Sequence, residues 1–508
     1  MSDASVAAAL RSPARLVVVE APAGCGKTFQ GAEYAREVAE KIGDGRVLIL
    51  THTHAACDVF ASRTKRTEGR VDIRTLASLI GQIASAYHLA LGLPADTGAW
   101  ARSRANGYAE LSAKVALLLR ASPIIARSLA QRYPIIICDE HQDASADQHS
   151  VTMACHEGGA SVRIFGDPMQ RIYGSKKKAE IAADNQRWEI LKQKAETFDK
   201  LDEPHRWSDG AMPLGQWILA AREALRTGGL VDLRGTLPTG VSIIVAENRS
   251  PRRRGGYMLA DDARKPIDSL VGSTKSLLVL AAQNATVDAL RAFFYRRLPI
   301  WEGHVRTDLE TLVDVVQKHT GDAVAIAKAV VTFMNAVATG FSLSAYGNRL
   351  LDEVSKGCIG KRKLMPATVQ ALGRLILDQP DHKGMAKVLL RINELRETDP
   401  AFKAVKVDYH REFWDAVRLG QFEDADEGFA EISRQRIYSR PSLPDKTIST
   451  VHKAKGLECS HVLIMPCDAE HFSNSPAARC CLYVAMSRAK RSLTFVVSRQ
   501  KLSPLVAL

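Results

Sequence analysis

The stretch APAGCGKTFQ (21–30) follows the apolar run LVVVE (16–20) and opens a segment with apolar residues at helical spacing. Gly24 and Gly26 let successive backbone N–H groups turn inward around an anion, at a helix N-terminus where negative charge is favoured. Lys27 brings a point charge to the outer phosphates, and the Thr28 hydroxyl is a ligand for Mg²⁺. Ala23 and Cys25 belong to the same cradle. The run from Ala21 to Thr28 therefore fits the phosphate loop G-x-x-x-x-G-K-[ST], with Ala21 in place of the first glycine. Phe29, Ala32, Ala35, Val38, Ala39 and Ile42 supply one apolar face of the helix that must follow.

Other short apolar runs recur along the chain: RVLIL (46–50), PIIICDE (134–140), SVRIFGD (161–167), VSIIVA (241–246), SLLVLAA (276–282), HVLIMPC (461–467) and SLTFVV (492–497). Strands alternating with helices predict an α/β fold of parallel sheets covered on both faces, and two clusters of strands predict two lobes. Between them, 85–130 and 301–445 read as mainly helical insertions; Leu111, Val115, Leu118 and Leu119 have helical spacing.

The chain has 508 residues, 69 Lys and Arg against 56 Asp and Glu, and a net charge of +13, which favours a polyanionic partner. Nine scattered cysteines fit reduced thiols and a cytoplasmic location. VAAAL (6–10) is too short for a signal peptide, and no run approaches a membrane span. Cys459, Cys467, Cys480, Cys481, His461 and His471 match no metal-binding spacing and read as structural. Cys25 is expected to make nucleotide binding sensitive to oxidation.

A phosphate loop needs partners. Asp139 and Glu140 leave a strand together: Asp139 is placed to hold Mg²⁺, and Glu140 to orient and deprotonate an attacking water. Gln170 follows another strand, where its amide would sense the terminal phosphate.

The ordered segments THTHAA (51–56), DEHQD (139–143), GDPMQRIYG (166–174), PHRWS (204–208), TVHKAKGLE (450–458) and LYVAMSRAK (482–490) resemble the motifs of superfamily 1 helicases of the UvrD/PcrA/Rep group. The resemblance implies two RecA-like lobes, each interrupted by a helical insertion. The first lobe would comprise 1–84 and 131–200 with its insertion at 85–130, and the second 201–300 and 446–508 with its insertion at 301–445. It further implies that Arg206 and Arg488 reach across to the transferred phosphoryl group and that Gly456 and Glu458 face the ribose. Gln142 would couple nucleotide to cleft, and His205 stands where a tyrosine stacks on adenine. Thr51, His52, Tyr173, Thr450 and His452 would contact single-stranded DNA. Ser175 stands where an aromatic is usual, and the lysines at 176–178 and the loop PRRRGG (251–256) are candidates for phosphate attraction.

The expected activity is an ATP- and Mg²⁺-dependent translocase on single-stranded and tailed duplex DNA, with 3′→5′ polarity, in a role such as DNA repair. The chain ends soon after the last motif, leaving no room for a fused nuclease. The alternative is a DNA-sensing ATPase subunit that regulates a separate nuclease, as in two-component anti-phage defence systems; a nuclease or a repair protein is the partner expected in trans. A kinase or small-molecule ATPase does not account for THTHAA, TVHKAKGLE and two arginines acting across lobes.

Overall fold

In the computed structural model, which describes residues 2–67, 69–102, 104, 106–174, 178–249, 256–302, 307–438 and 443–508, the run LVVVE forms β1 (Leu16–Glu20), buried along its whole length. Ser175, Lys176, Lys177 and 251–255 lie outside the described residues. With β2 (Val47–Thr51), β3 (Val71–Thr75), β4 (Ile135–Cys138), β5 (Ser161–Gly166) and β6 (Thr197–Lys200), β1 builds a six-stranded sheet in the order β3-β2-β4-β5-β1-β6. Every pairing in it is parallel.

The burial of this sheet follows the two-residue period of a strand. Val17, Val19, Ile49, Ile137 and Phe165 pack to one face against α1 (Ser2–Arg11) and α2 (Lys27–Lys41), through Val6, Leu10, Ala32, Ala35 and Ala39. Leu16, Val18, Leu48, Leu50, Ile136, Val162 and Ile164 pack to the other, against the helices Leu76–Ala86, Gly107–Ala121 and Ala146–Glu157. Leu111, Val115 and Leu119 belong to this second core, so the helical block after residue 85 packs directly on the first sheet. The edge strands β3 and β6 are only partly buried; β3 (VDIRT) alternates polar with apolar residues and β6 (TFDK) has a single apolar one, which hides both from a search for apolar runs.

A second parallel set of strands runs Leu277–Ala281, Cys459–Cys467, Ala489–Val497 and Val241–Val245 side by side. Its core joins Leu278, Leu280, Ile464, Phe495 and Val497 to Leu214, Ile218 and Leu225 of the helix Met212–Arg226, and to Leu482, Tyr483 and Met486 of the helix Pro476–Met486. Trp207 is wholly buried here, and its Nε1 donates to Ala489 O at 2.8 Å. Ala23 of the phosphate loop lies in this same core.

Residues Val287–Ser449 form a separate compact unit. It is mainly helical, with Thr307–Lys318, Ala323–Val337, Met365–Asp378, His382–Thr398 and His410–Leu419 among its helices. Ile326, Val330, Met334, Leu372, Ile376, Leu389, Ile392 and Phe413 are buried. Among the described residues no helix is long and apolar enough to cross a membrane.

A Cβ on Gly215 would stand 2.7–2.9 Å from Trp207, so the helix carrying it fits only without a side chain there. Gly215→Ala is expected to destabilise the fold by about 1–3 kcal/mol, as overpacking of a close-packed core does. A lowered midpoint of thermal unfolding checks it.

Candidate active site and strand interface

The strand order brings the candidate residues together. In register, Cys138 of β4 lies beside Ile164 of β5, and Gly166 of β5 beside Glu20 of β1. The segments leaving the C-terminal ends of β4, β5 and β1 are therefore neighbours: Asp139–Glu140, Asp167 and the phosphate loop. This is where parallel α/β sheets bind ligands. Leu50 of β2 pairs with Cys138, which adds Thr51 and His52 to the same edge.

Gly24 and Gly26 sit in left-handed conformations (φ +80° and +82°), and α2 begins at Lys27 with no side chain capping its first turn. First-turn N–H groups lack intrahelical acceptors, so this cradle fits an anion. Lys27 Nζ is paired with Glu140 Oε1. Gln142 Nε2 donates to Glu140 Oε2, and Gln142 Oε1 accepts from Asp167 N at 3.0 Å. Glu140 itself adopts φ +54°, a strained conformation for a residue with a side chain. Burial pushes the Glu140 carboxyl up, but Lys27, Lys455 and the donors Lys27 and Gln142 outweigh it and hold it below the usual carboxylate range. Burial pushes Asp139 up, Lys27 pulls it down and Glu140 pushes it up again, leaving it at about 6. Thr28 and Asp139 offer the hydroxyl and carboxylate oxygens that Mg²⁺ prefers, so donor chemistry and cradle both fit Mg²⁺ and a triphosphate.

Asp167 is fully buried at the end of β5. Its carboxylate accepts from Gln170 Nε2 at 3.0 Å, Met169 N at 3.1 Å and Arg222 Nη2 at 2.6 Å. Arg222 Nη2 also donates to Glu20 Oε1 at 2.8 Å. Burial works against the Arg222 charge, but Asp167 outweighs it and pushes its pKa up, as does the bond to Glu20. Arg222 comes from the helix Met212–Arg226, packed on the second sheet, so this buried ion pair joins the two sheets.

The loop is held from that side too. Ala23 N donates to Tyr483 Oη at 2.8 Å, and Gly24 O accepts from Arg206 N at 3.0 Å. Arg206 Nη2 pairs with Glu458 and Nη1 donates to Ser487 O, while its buried Nε has no partner among the described residues. Arg488 donates to Val484 O (3.0 Å), Leu457 O (3.1 Å) and Ser487 Oγ (2.8 Å). Burial, then the neighbouring Arg206 charge, lowers its pKa to about 10, which leaves it protonated near neutrality. His205 Nε2 lies 2.6 Å from Asp3 Oδ2, and its ring stands 3.1 Å from where a Cβ on Gly26 would be. Gly456 takes φ +87° with open space around it.

On the strand side, Tyr173 is 47% exposed and donates to His452 O at 2.8 Å, with the two rings 6.4 Å apart. His52 is held neutral: burial, then the Lys455 charge, lowers its pKa to about 4. Thr51 and Thr450 are buried, whereas Tyr173 is exposed. Lys455 Nζ pairs with Asp143 and donates to Gln170 O at 2.7 Å.

Sequence reasoning missed Asp167, Glu20, Arg222, Tyr483, Asp143 and Lys455. Asp167, Asp143, Lys455 and Tyr483 stand inside the quoted motifs, which was the available signal. Arg222 stands in no motif and is indistinguishable from a surface arginine in sequence. The expectation for Cys25 is corrected: burial, then Asp167, pushes its thiol up to about 12, and a buried neutral thiol resists oxidation.

Lys27→Ala, which removes the ammonium beside the cradle, is expected to weaken triphosphate binding, whereas Glu140→Gln is expected to leave binding intact. Both are expected to lower kcat at least about 100-fold, since a positioned general base contributes about 10²–10⁴. Equilibrium binding of a fluorescent ATP analogue and steady-state turnover separate the two.

Residues 3–229 match the family model of an AAA domain, and residues 446–496 match that of the UvrD-like helicase C-terminal domain. No curated protein matches the chain. Among solved structures, it is similar to the Pif1 helicase of Candida albicans, at 13% identity over 97% of this chain and 94% of that one, with a TM-score of 0.39. It is also similar to a Pif1 helicase from work on DNA unwinding at forked duplexes by two coordinating Pif1 helicases, at 13% identity over 58% of this chain and 57% of that one, with a TM-score of 0.29. With the phosphate loop inside the first matched segment and TVHKAKGLE and LYVAMSRAK inside the second, the two family-model matches support a superfamily 1 helicase of the UvrD-like group.

Proposed function

We propose that the chain is an ATP-driven motor that moves 3′→5′ along single-stranded DNA and separates the strands of tailed duplexes. The observation that carries this reading is the shared grip on the phosphate loop: Ala23 N is bound by Tyr483, and Gly24 O by the backbone of Arg206. A nucleotide in that loop lies where a change in one lobe is felt by the other. Tyr173 and His452, joined across the same pair of sheets, support a strand path beside it.

In this reading, Lys27 leaves Glu140 for the outer phosphates and Glu140 takes the proton of the attacking water. Gln170 reports on the terminal phosphate from its bond to Asp167. Arg206, held by the exposed carboxylate of Glu458, exchanges it for charge developing on the transferred group. Mg²⁺ bound at Thr28 and Asp139 would neutralise charge on the phosphates.

Strand displacement with 3′-tailed and 5′-tailed duplexes tests the polarity: unwinding is expected from the 3′ tail alone, with modest processivity. Unwinding from a 5′ tail would overturn the direction. DNA-stimulated turnover with no displacement from either tail would favour the alternative, a DNA-sensing ATPase acting on a separate nuclease.

Relaxed base selection is expected: the related helicases pair adenine with a glutamine ahead of the phosphate loop, residues 1–20 contain none, and His205 stands where a tyrosine stacks. A glutamine-bearing segment encoded upstream of residue 1 is the competing explanation. Losing one hydrogen-bonded pair removes about 1–3 kcal/mol of discrimination. GTP or CTP is therefore expected to support turnover within about tenfold of ATP. Competition among the four triphosphates measures it, and binding of ATP alone would show that another residue reads adenine.

A further inference from the structure

The helix Asn284–Phe293, which leads into the unit Val287–Ser449, ends in a turn that usually carries glycine. Tyr295 N donates to Ala292 O and Arg296 N to Arg291 O, both at 2.9 Å, the paired bonds of a Schellman cap. Such a cap needs a left-handed residue just past the helix, and glycine adopts that conformation without strain. Here Tyr295 (φ +51°) and Arg296 (φ +58°) fill it. Two consecutive left-handed residues with large side chains carry a standing cost. The turn is clamped on one side. Arg296 pairs with Asp408, whose side chain is 6% exposed, and donates to Thr339 Oγ1, while Arg291 Nε meets the same carboxylate at 3.0 Å. Tyr295 instead is 68% exposed, with the Arg297 guanidinium 5.6 Å from its ring centroid. An exposed tyrosine alone needs no explanation, but one kept at a glycine position does.

We propose that Tyr295 is a stacking platform for one base of a single-stranded nucleic acid, with Arg297 beside it to meet a neighbouring phosphate. An aromatic face stacks on any base, and a guanidinium next to it supplies charge for the backbone, which is the chemistry of sequence-tolerant strand binding. The clamp through Asp408 holds the turn in one conformation, so little freedom is lost when a base stacks. Tyr295 lies in none of the segments that resemble helicase motifs, so it is not among the strand contacts which that resemblance implies. The inference rests on the reading of the chain as a motor on single-stranded DNA.

The test compares the wild-type chain with Tyr295→Gly and Tyr295→Phe. Binding of a labelled oligothymidine is measured by fluorescence anisotropy, and thermal unfolding by circular dichroism. Glycine relieves the left-handed strain while it removes the ring. The expected result is an unfolding midpoint unchanged or higher, with affinity at least about fivefold lower, the smaller end of what one stacked base contributes. Phenylalanine keeps the ring, and affinity within about twofold of wild type is expected. Wild-type affinity in Tyr295→Gly overturns the inference and leaves this surface to a protein partner or to none. A lower midpoint together with lower affinity also overturns it, by giving Tyr295 a structural role. So does a loss in Tyr295→Phe equal to that in Tyr295→Gly, because the hydroxyl rather than the ring would then be the contact. A wild-type chain that binds no oligothymidine removes the strand reading itself, which separates that failure from the others.

Discussion

The buried carboxylate of Asp167 is the constraint on which the two-sheet arrangement depends. It stands at the end of β5, and an uncompensated charge in such a place costs several kcal/mol. Arg222 supplies the compensation and is itself tied to Glu20, so one guanidinium answers two carboxylates at the ends of neighbouring strands. Because Arg222 rides on a helix packed against the second sheet, the first sheet cannot satisfy its own charges. The close approach of the two sheets, the Tyr483 bond to Ala23 and the placing of Trp207 beside Gly24 all accompany that pairing.

The contacts around the candidate nucleotide site fall into two classes by burial. The pairs Arg222–Asp167 and Lys455–Asp143 are nearly sealed from water, and breaking either leaves a charge without solvent. Arg206–Glu458 differs, because the glutamate side chain is 40% exposed and well solvated. That half-exposed carboxylate can return to water, so it is the most readily exchanged of the three partners. A motor needs both kinds of contact: persistent ones that keep the lobes in register, and exchangeable ones that respond to the nucleotide.

Legibility in the sequence followed how local the cause was. The phosphate loop, Asp139, Glu140 and the strands LVVVE, PIIICDE and SLLVLAA announce themselves because glycine spacing and continuous apolar runs are local consequences of turn geometry and two-sided burial. β3 and β6 escaped because an edge strand, solvated on one side, needs no apolar run. Arg222 escaped for a different reason: its role depends on a helix from one sheet meeting a strand end of the other. Cys25 was misread because residue type and motif suggest reactivity, while the packing that neutralises a thiol is tertiary.

The pairing of Lys27 with Glu140 has a consequence for the chemistry proposed. Burial alone would raise the Glu140 pKa, and the lysine beside it is the strongest opposing influence. A carboxylate held below its ordinary range is a poor proton acceptor, because a general base works best with a pKa near the operating pH. If Lys27 turned to phosphate oxygens, Glu140 would lose the strongest influence opposing its burial, and its pKa would rise. In the proposed reaction Glu140 would thus be the weaker base before Lys27 is drawn to a triphosphate and the stronger one after.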